Sequence, residues 1–282
     1  MVADPDFCFH GGAPDRSVKT SDDRVFVKPE LVAIEGQAKR RLRDFEVLTL
    51  DCYGTLVDRD TGIVNALMPS LHDAGVTAGR GEILRAFHQA ERAKLLTTPG
   101  VCYAELLLEV HASFSNFFEI GRDDKAAKAF AGSIKDWPVY SDVAGALDYL
   151  RDHFKLVLLA NMDRQSFEQT KKSLGVTFDA VYTAEDIGTY KPSMKSFDYL
   201  LARLAKADIS KERVLHIANS LRLDHVPAKR RGFSTCWIHR PDGRSRMKGS
   251  TTQGIDVHPD FYFESLGALT HAHSIGAISS SD

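Results

Sequence analysis

Four short apolar runs, Val47–Leu50, Leu156–Leu159, Val214–Ala218 and Thr235–Ile238, punctuate the chain, and most of them are followed by a stretch with helical spacing. Strands that alternate with helices imply a parallel sheet covered on both faces. A shorter run, Ala180–Tyr182, adds a fifth strand candidate. Helices are expected over Val143–His153, Ser166–Leu174 and Ser193–Leu204. In the second, Phe167, Thr170, Lys171 and Leu174 share one face and Asp163 is placed to cap the N-terminus. The expected fold class is α/β.

Between the first two strands lies an insertion, about 61–138, that reads as almost wholly helical. Ile83, Ala86, Phe87 and Ala90 share one face and Leu106, Leu107, Val110 and Phe114 another, with a break at Thr97-Thr98-Pro99-Gly100. A length of 282 residues allows one large or two modest domains, and 43% hydrophobic residues with a net charge of −2 describe a globular protein. No run approaches the roughly 20 apolar residues of a membrane span. The N-terminus has no signal-peptide core, so the cytoplasm is the expected compartment. The basic cluster Lys39-Arg40-Arg41 reads as a solvated helix face, and no nucleic-acid surface is expected. Cys8, Cys52, Cys102 and Cys236 are too scattered for a zinc site or a disulfide framework.

The chemistry concentrates at four places. Asp51 follows the first strand and precedes a Gly-containing turn, Asp51-Cys52-Tyr53-Gly54-Thr55, where parallel α/β proteins build their sites. A carboxylate there can act as a covalent nucleophile or simply cap a turn. After the second strand, Ala160-Asn161-Met162-Asp163 offers the Asn161 amide, as a ligand donor or as a turn cap. Lys191, just before Pro192 and a helix opening at Ser193, is not a mid-helix surface charge, because Pro192 suits a helix's first turn. An ammonium close to Asp51 would lower the carboxylate pKa. The fourth segment, His216 to Ala228, holds Asn219, Asp224 and His225, the last a general base or a packed histidine.

In this order the segments resemble the haloacid dehalogenase superfamily, in particular its type II (L-2-haloacid) dehalogenase branch, over roughly 45–262. The resemblance implies a Rossmann-like core at 45–60 and 139–270, a helical cap at 61–138, an N-terminal extension at 1–44 and a tail at 271–282. It implies Asp51 as nucleophile and Lys191 as the cation that holds it. Asp224 would orient Lys191 or activate the hydrolytic water, while Thr55 and backbone N–H groups would position the Asp51 carboxylate. Tyr53 stands where phosphatases of the superfamily carry a second Asp. Ala160 stands where a Ser or Thr hydroxyl binds the leaving group, and Asn219 where magnesium-dependent members carry an acid. His88 aligns with a cap arginine, with Arg85 and Arg92 a turn away on either side, and Phe197 replaces a tyrosine. The substrate-binding set so implied is Tyr53, Thr55, His88, Arg92, Ala160, Asn161 and Asn219.

Three functions follow as expectations. The first is a metal-independent hydrolase that uses Asp51 on a small organic acid. The second is a repurposed enzyme doing acid/base chemistry on a larger metabolite, for which the missing hydroxyl at Ala160 makes room. The third is an inactive binding protein. No cofactor is expected beyond a weak Mg²⁺ option through Asp51 and Asp224. The partner is a small molecule, with a homodimer implied by the resemblance.

Overall fold

The computed structural model describes residues 40–98, 100–240 and 256–276. Five strands lie at the sequence-expected runs: β1 (Val47–Leu50), β2 (Lys155–Ala160), β3 (Ala180–Thr183), β4 (Val214–Ala218) and β5 (Ser234–Ile238). A sixth, β6 (Phe261–Phe263), was not anticipated, because three residues give no periodicity to read. The last of the expected strand runs, Thr235–Ile238, is thus followed by one more strand. All neighbours pair in parallel, in the order β3-β2-β1-β4-β5-β6. Every residue of β1 and β4 is buried, as expected of central strands covered on both faces. The strand order reverses direction between β1 and β4, so their carboxyl ends flank the crevice where such sheets take ligands.

Four helices follow β1: α1 (Arg59–Asp73), α2 (Arg80–Thr97), α3 (Tyr103–Phe117) and α4 (Asp124–Ala131). Their apolar faces bury Ile83, Ala86, Phe87 and Ala90 with Leu106, Leu107, Val110 and Phe114. The insertion starts slightly earlier than 61, because Asp58 caps α1 by accepting from the Thr61 amide at 3.1 Å. Entry and exit run side by side: Val57 bridges Val139, and the Asp58 amide donates to the Pro138 carbonyl at 2.8 Å.

The core continues through α5 (Val143–Arg151), α6 (Arg164–Leu174), α7 (Ala184–Ile187), α8 (Met194–Lys206), α9 (Val226–Arg230) and α10 (Leu266–Ser274). Asp163 caps α6, accepting from the Ser166 amide at 2.6 Å. On that helix Phe167, Thr170 and Leu174 are buried but Lys171 is exposed, since the apolar stripe is narrower than the helical spacing suggested. Ser193, not Pro192, bounds α8 as its N-cap, so Pro192 lies just outside the helix. Arg40 and Arg41 are exposed but flank a 3-10 turn, Leu42–Asp44, rather than lining a helix. The expected tail boundary at 271 falls inside α10, where His273 is buried and bonds Tyr149. Lys39, Cys8, residues 1–39 of the expected N-terminal extension and 277–282 of the tail lie outside the described residues. No described helix is long and apolar enough to cross a membrane.

Candidate active site

Asp51 sits one residue past β1, its amide donating to the Ile217 carbonyl at 3.0 Å. The chain then turns tightly. The amides of Thr55, Leu56 and Val57 all converge on the Cys52 carbonyl, and Gly54 adopts φ +89°, a conformation that disfavours a side chain. This turn swings the Thr55 hydroxyl back to donate to Asp51 Oδ2 at 2.8 Å. The same hydroxyl accepts from the Asn219 amide at 3.0 Å, tying the loop after β1 to the loop after β4.

Lys191 is the hub. Its side chain is 2% exposed, and Nζ donates to Asp51 Oδ1 at 2.8 Å, Asp224 Oδ1 at 2.5 Å and the Leu159 carbonyl at 2.8 Å. All three donors of the ammonium are thus used. One positive charge serves two buried carboxylates, and they divide it unequally. Burial works upward on Asp224 but is overcome by Lys191 and by the hydrogen bond from His216, which together hold it down to about 2. For Asp51 burial wins: its pKa is raised despite Lys191 and Thr55, with the Asp224 charge adding to the rise. Lys191 does lower the Asp51 pKa, as expected, but burial outweighs it, so the net shift is upward. Burial alone would lower Lys191, yet Asp224 and Asp51 lift it above its ordinary value.

Asn161 does not aim its amide outward. Its Oδ1 accepts from the Lys191 amide at 2.7 Å and its Nδ2 donates to the Lys191 carbonyl at 3.0 Å, clamping the backbone that carries the ammonium. Ala160, at the end of β2, is buried and contributes only a methyl. Asn219 is held through its carbonyl by Trp237 Nε1 at 2.9 Å and through Oδ1 by the Arg240 amide at 3.4 Å. Gly54 lies against it: a methyl there would come within 3.7 Å of Asn219 Nδ2. Of the two options for His225, packing is what the geometry favours. Its Nε2 donates to the Ala218 carbonyl at 3.0 Å, Nδ1 is buried, and burial pushes its pKa down to about 4.

The cap side is arranged differently from the expectation. His88 lies 3.2 Å from Arg59 Nη2, 3.4 Å from Asp60 Oδ1 and 3.6 Å from Glu91 Oε2. Arg59, which the sequence reading passed over, pairs with Glu91 at 3.1 Å, and the Tyr103 hydroxyl donates to the same carboxylate. The one available signal was its position directly after the Asp58 cap, at the mouth of the insertion. No described hydrogen bond joins this cluster to Asp51. The Tyr53 ring packs on Tyr103 and Trp137 at 5.7 and 5.0 Å, and its hydroxyl meets Thr170 Oγ1 at 3.2 Å, so it joins cap to core. Arg92 is exposed; its charge, after partial burial, depresses the pKa of Arg222 in the turn that carries Asp224.

Two hydrogen bonds close the cap on the core: the Tyr190 hydroxyl donates to the Val101 carbonyl at 2.8 Å, and the Ala104 amide donates to Asp163 at 3.3 Å. Tyr190 immediately precedes Lys191. Replacing Tyr190 with Phe is expected to remove about 1 kcal/mol from cap closure. Amide hydrogen exchange at 100–104 should then speed up while exchange in β1 and β4 stays as it was.

The family model for haloacid dehalogenase-like hydrolases matches residues 45–229. Among curated proteins, the chain is 28% identical over 95 residues to pyrimidine 5'-nucleotidase YjjG of Escherichia coli, 33% of this chain and 41% of that protein. It is 26% identical over 138 residues to YfnB of Bacillus subtilis, named for the same superfamily, 47% of this chain and 54% of that protein. The matches thus span about half the length of these curated relatives. The magnesium-bound structure of YfnB superposes with a TM-score of 0.64 at 16% identity, covering 82% of this chain and 99% of that one. The L-2-haloacid dehalogenase of Xanthobacter autotrophicus with chloropropionic acid covalently bound gives a TM-score of 0.65 at 19% identity, covering 82% and 98%. With the family model spanning β1 to β4, the inserted helices and all four site segments, the chain belongs to the haloacid dehalogenase-like hydrolase family.

Proposed function

We propose that this hydrolase acts on a small organic acid without a metal, through an ester formed on Asp51. The observation that carries this reading is the Lys191 ammonium between the carboxylates of Asp51 and Asp224, at 2.8 and 2.5 Å. With a 2-haloacid, an Asp51 oxygen bonds C2 while the carbon–halogen bond breaks and the halide leaves with its electron pair. Water then attacks the Asp51 acyl carbon and its proton goes to the departing alkoxide. The net change is 2-haloacid plus water to 2-hydroxyacid, halide and a proton. Chloropropionic acid bound covalently in the Xanthobacter enzyme supports this reading.

The donor set is a weak one for a divalent ion, with Asp51 and Asp224 as its only carboxylates. Among the described residues no three His, Cys, Asp or Glu groups gather to hold one. Asp51 and Asp224 already spend an oxygen each on Lys191, and Asn219 brings no charge. Chelator is expected to leave turnover unchanged; loss of activity restored by magnesium, or magnesium-stimulated hydrolysis of pyrimidine nucleotides, would overturn the metal-free reading. The primary assay is halide release from a panel of 2-haloacids, with heavy oxygen from water entering Asp51 in a single turnover.

A second reading has its own support. Ala160 supplies no hydroxyl for a leaving group, Phe197 is buried against His216 with no phenol, and His88 is engaged with Arg59, Asp60 and Glu91. A site so altered on its substrate side suits acid/base chemistry on a larger metabolite. Turnover without oxygen exchange at Asp51 would favour it. A purely binding role is disfavoured, since burying two carboxylates and an ammonium is costly.

A further inference from the structure

The buried chain of polar groups does not stop at Asp224. His216, on β4 and fully buried, places Nε2 3.2 Å from Asp224 Oδ1 and Nδ1 2.9 Å from the Thr49 hydroxyl on β1. These contacts determine the tautomer. A carboxylate accepts, so Nε2 carries the hydrogen, and the buried Thr49 hydroxyl finds its acceptor only if Nδ1 is bare. The Nε2–H tautomer satisfies both contacts. Phe197 holds the ring edge-to-face at 5.0 Å. Asp224 itself lies in a π-helical turn, Leu221–His225. Both side-chain bonds to Asp224, from Lys191 and from His216, fall on Oδ1.

We propose that His216 is a positioning residue for the hydrolytic half of the reaction: with its tautomer set by Thr49, it holds Asp224 Oδ1 and so presents Asp224 Oδ2 to the water that attacks the Asp51 ester. The water oxygen bonds the acyl carbon and the bond from that carbon to the alcohol oxygen breaks; one water proton passes by way of Asp224 to the departing alcohol oxygen, the other is released to solvent, and both carboxylates end ionised. Ester formation, by contrast, needs only Asp51, Thr55 and Lys191. This rests on the ester mechanism proposed above and adds a residue that acts through Asp224 on one half-reaction only.

The test compares His216→Phe, which keeps a ring but no donor, with His216→Gln, whose amide can reach Asp224, and with Thr49→Val. In folded His216→Phe, the first-turnover halide burst should persist while hydroxyacid formation slows about tenfold or more. Esterified Asp51 should then accumulate by mass spectrometry. His216→Gln should recover most of the rate. Equal slowing of both halves, or no trapped ester, overturns the proposal. Should His216→Phe not fold, Thr49→Val must slow the hydrolytic half selectively, and its failure to do so is equally fatal. A readout without turnover is the nitrogen spectrum of His216 in the wild-type protein: Nε2 protonated and Nδ1 bare are expected, and a proton on Nδ1 overturns the assignment. If no 2-haloacid is turned over, the reaction proposed above falls, while the nitrogen signals still decide how His216 is held.

Discussion

Asp51→Asn is expected to lower turnover by more than about 10⁴-fold, because an amide oxygen cannot form the ester and no neighbouring group replaces it. The variant should fold, and its melting temperature should match or exceed that of the wild type. Burial raises the Asp51 pKa, so the ionised form is strained at neutral pH, and removing the charge relieves the folded state. Lys191 keeps Asp224 as its partner at 2.5 Å. The same shift fixes the acid side of the activity profile. In the ester mechanism proposed above Asp51 must be ionised to attack, so kcat/KM should fall as the pH drops through a midpoint above the 3.8 of an ordinary aspartate. Residual turnover within tenfold of wild type in Asp51→Asn, or an acid limb below 3.8, would sink this assignment.

Lys191→Met carries the largest expected effect on stability. The change leaves Asp51 and Asp224 buried without a cation, a situation that costs about 3–5 kcal/mol at neutral pH. The sign of its pH dependence follows from linkage. In the wild type, Asp224 is held down to about 2, so its contribution is present above 3.8 and is lost as pH falls through 2. Without the ammonium, burial raises both carboxylates above 3.8, which penalises the folded state increasingly as pH rises. Urea melts should therefore show the variant most destabilised near pH 7 and much closer to wild type near pH 4. A pH-independent loss would mean that packing, not charge, explains the lysine. Activity should vanish with it, since Lys191 contacts both Asp51 and Asp224.

Much of this protein was legible before any coordinates. The runs at Val47–Leu50, Leu156–Leu159 and Val214–Ala218 are strands because each is short, apolar and bounded, and central parallel strands tolerate no polar face. The helical insertion was legible for the same reason, as 3.6-residue periodicity survives whatever it packs against. Asp51 stood out because it occurs just past a strand, at the end of the sheet where sites form, Lys191 because it directly precedes Pro192 and a helix start, and Asp224 through the family resemblance. β6 was missed because three residues are too few to show a periodicity, and its pairing with β5 is what identifies it as a strand. Arg59 and His216 were passed over because an arginine near a helix start and a histidine in an apolar run have no signature of their own.

What local sequence settles here is the order of elements and the residue types at their ends, since periodicity and turn chemistry act over a few neighbours. How charge is divided is a long-range matter. Lys191 is 140 residues from Asp51 and 33 from Asp224, and it meets both only because β1, β2 and β4 lie side by side. That meeting lets burial outweigh the ammonium at Asp51 while Asp224 keeps its charge. It also turns the Asn161 amide inward to the Lys191 backbone and recruits Thr49 and His216 from adjacent strands. Desolvation and Coulomb interaction depend on distance in space, and distance in space is set by the packed sheet.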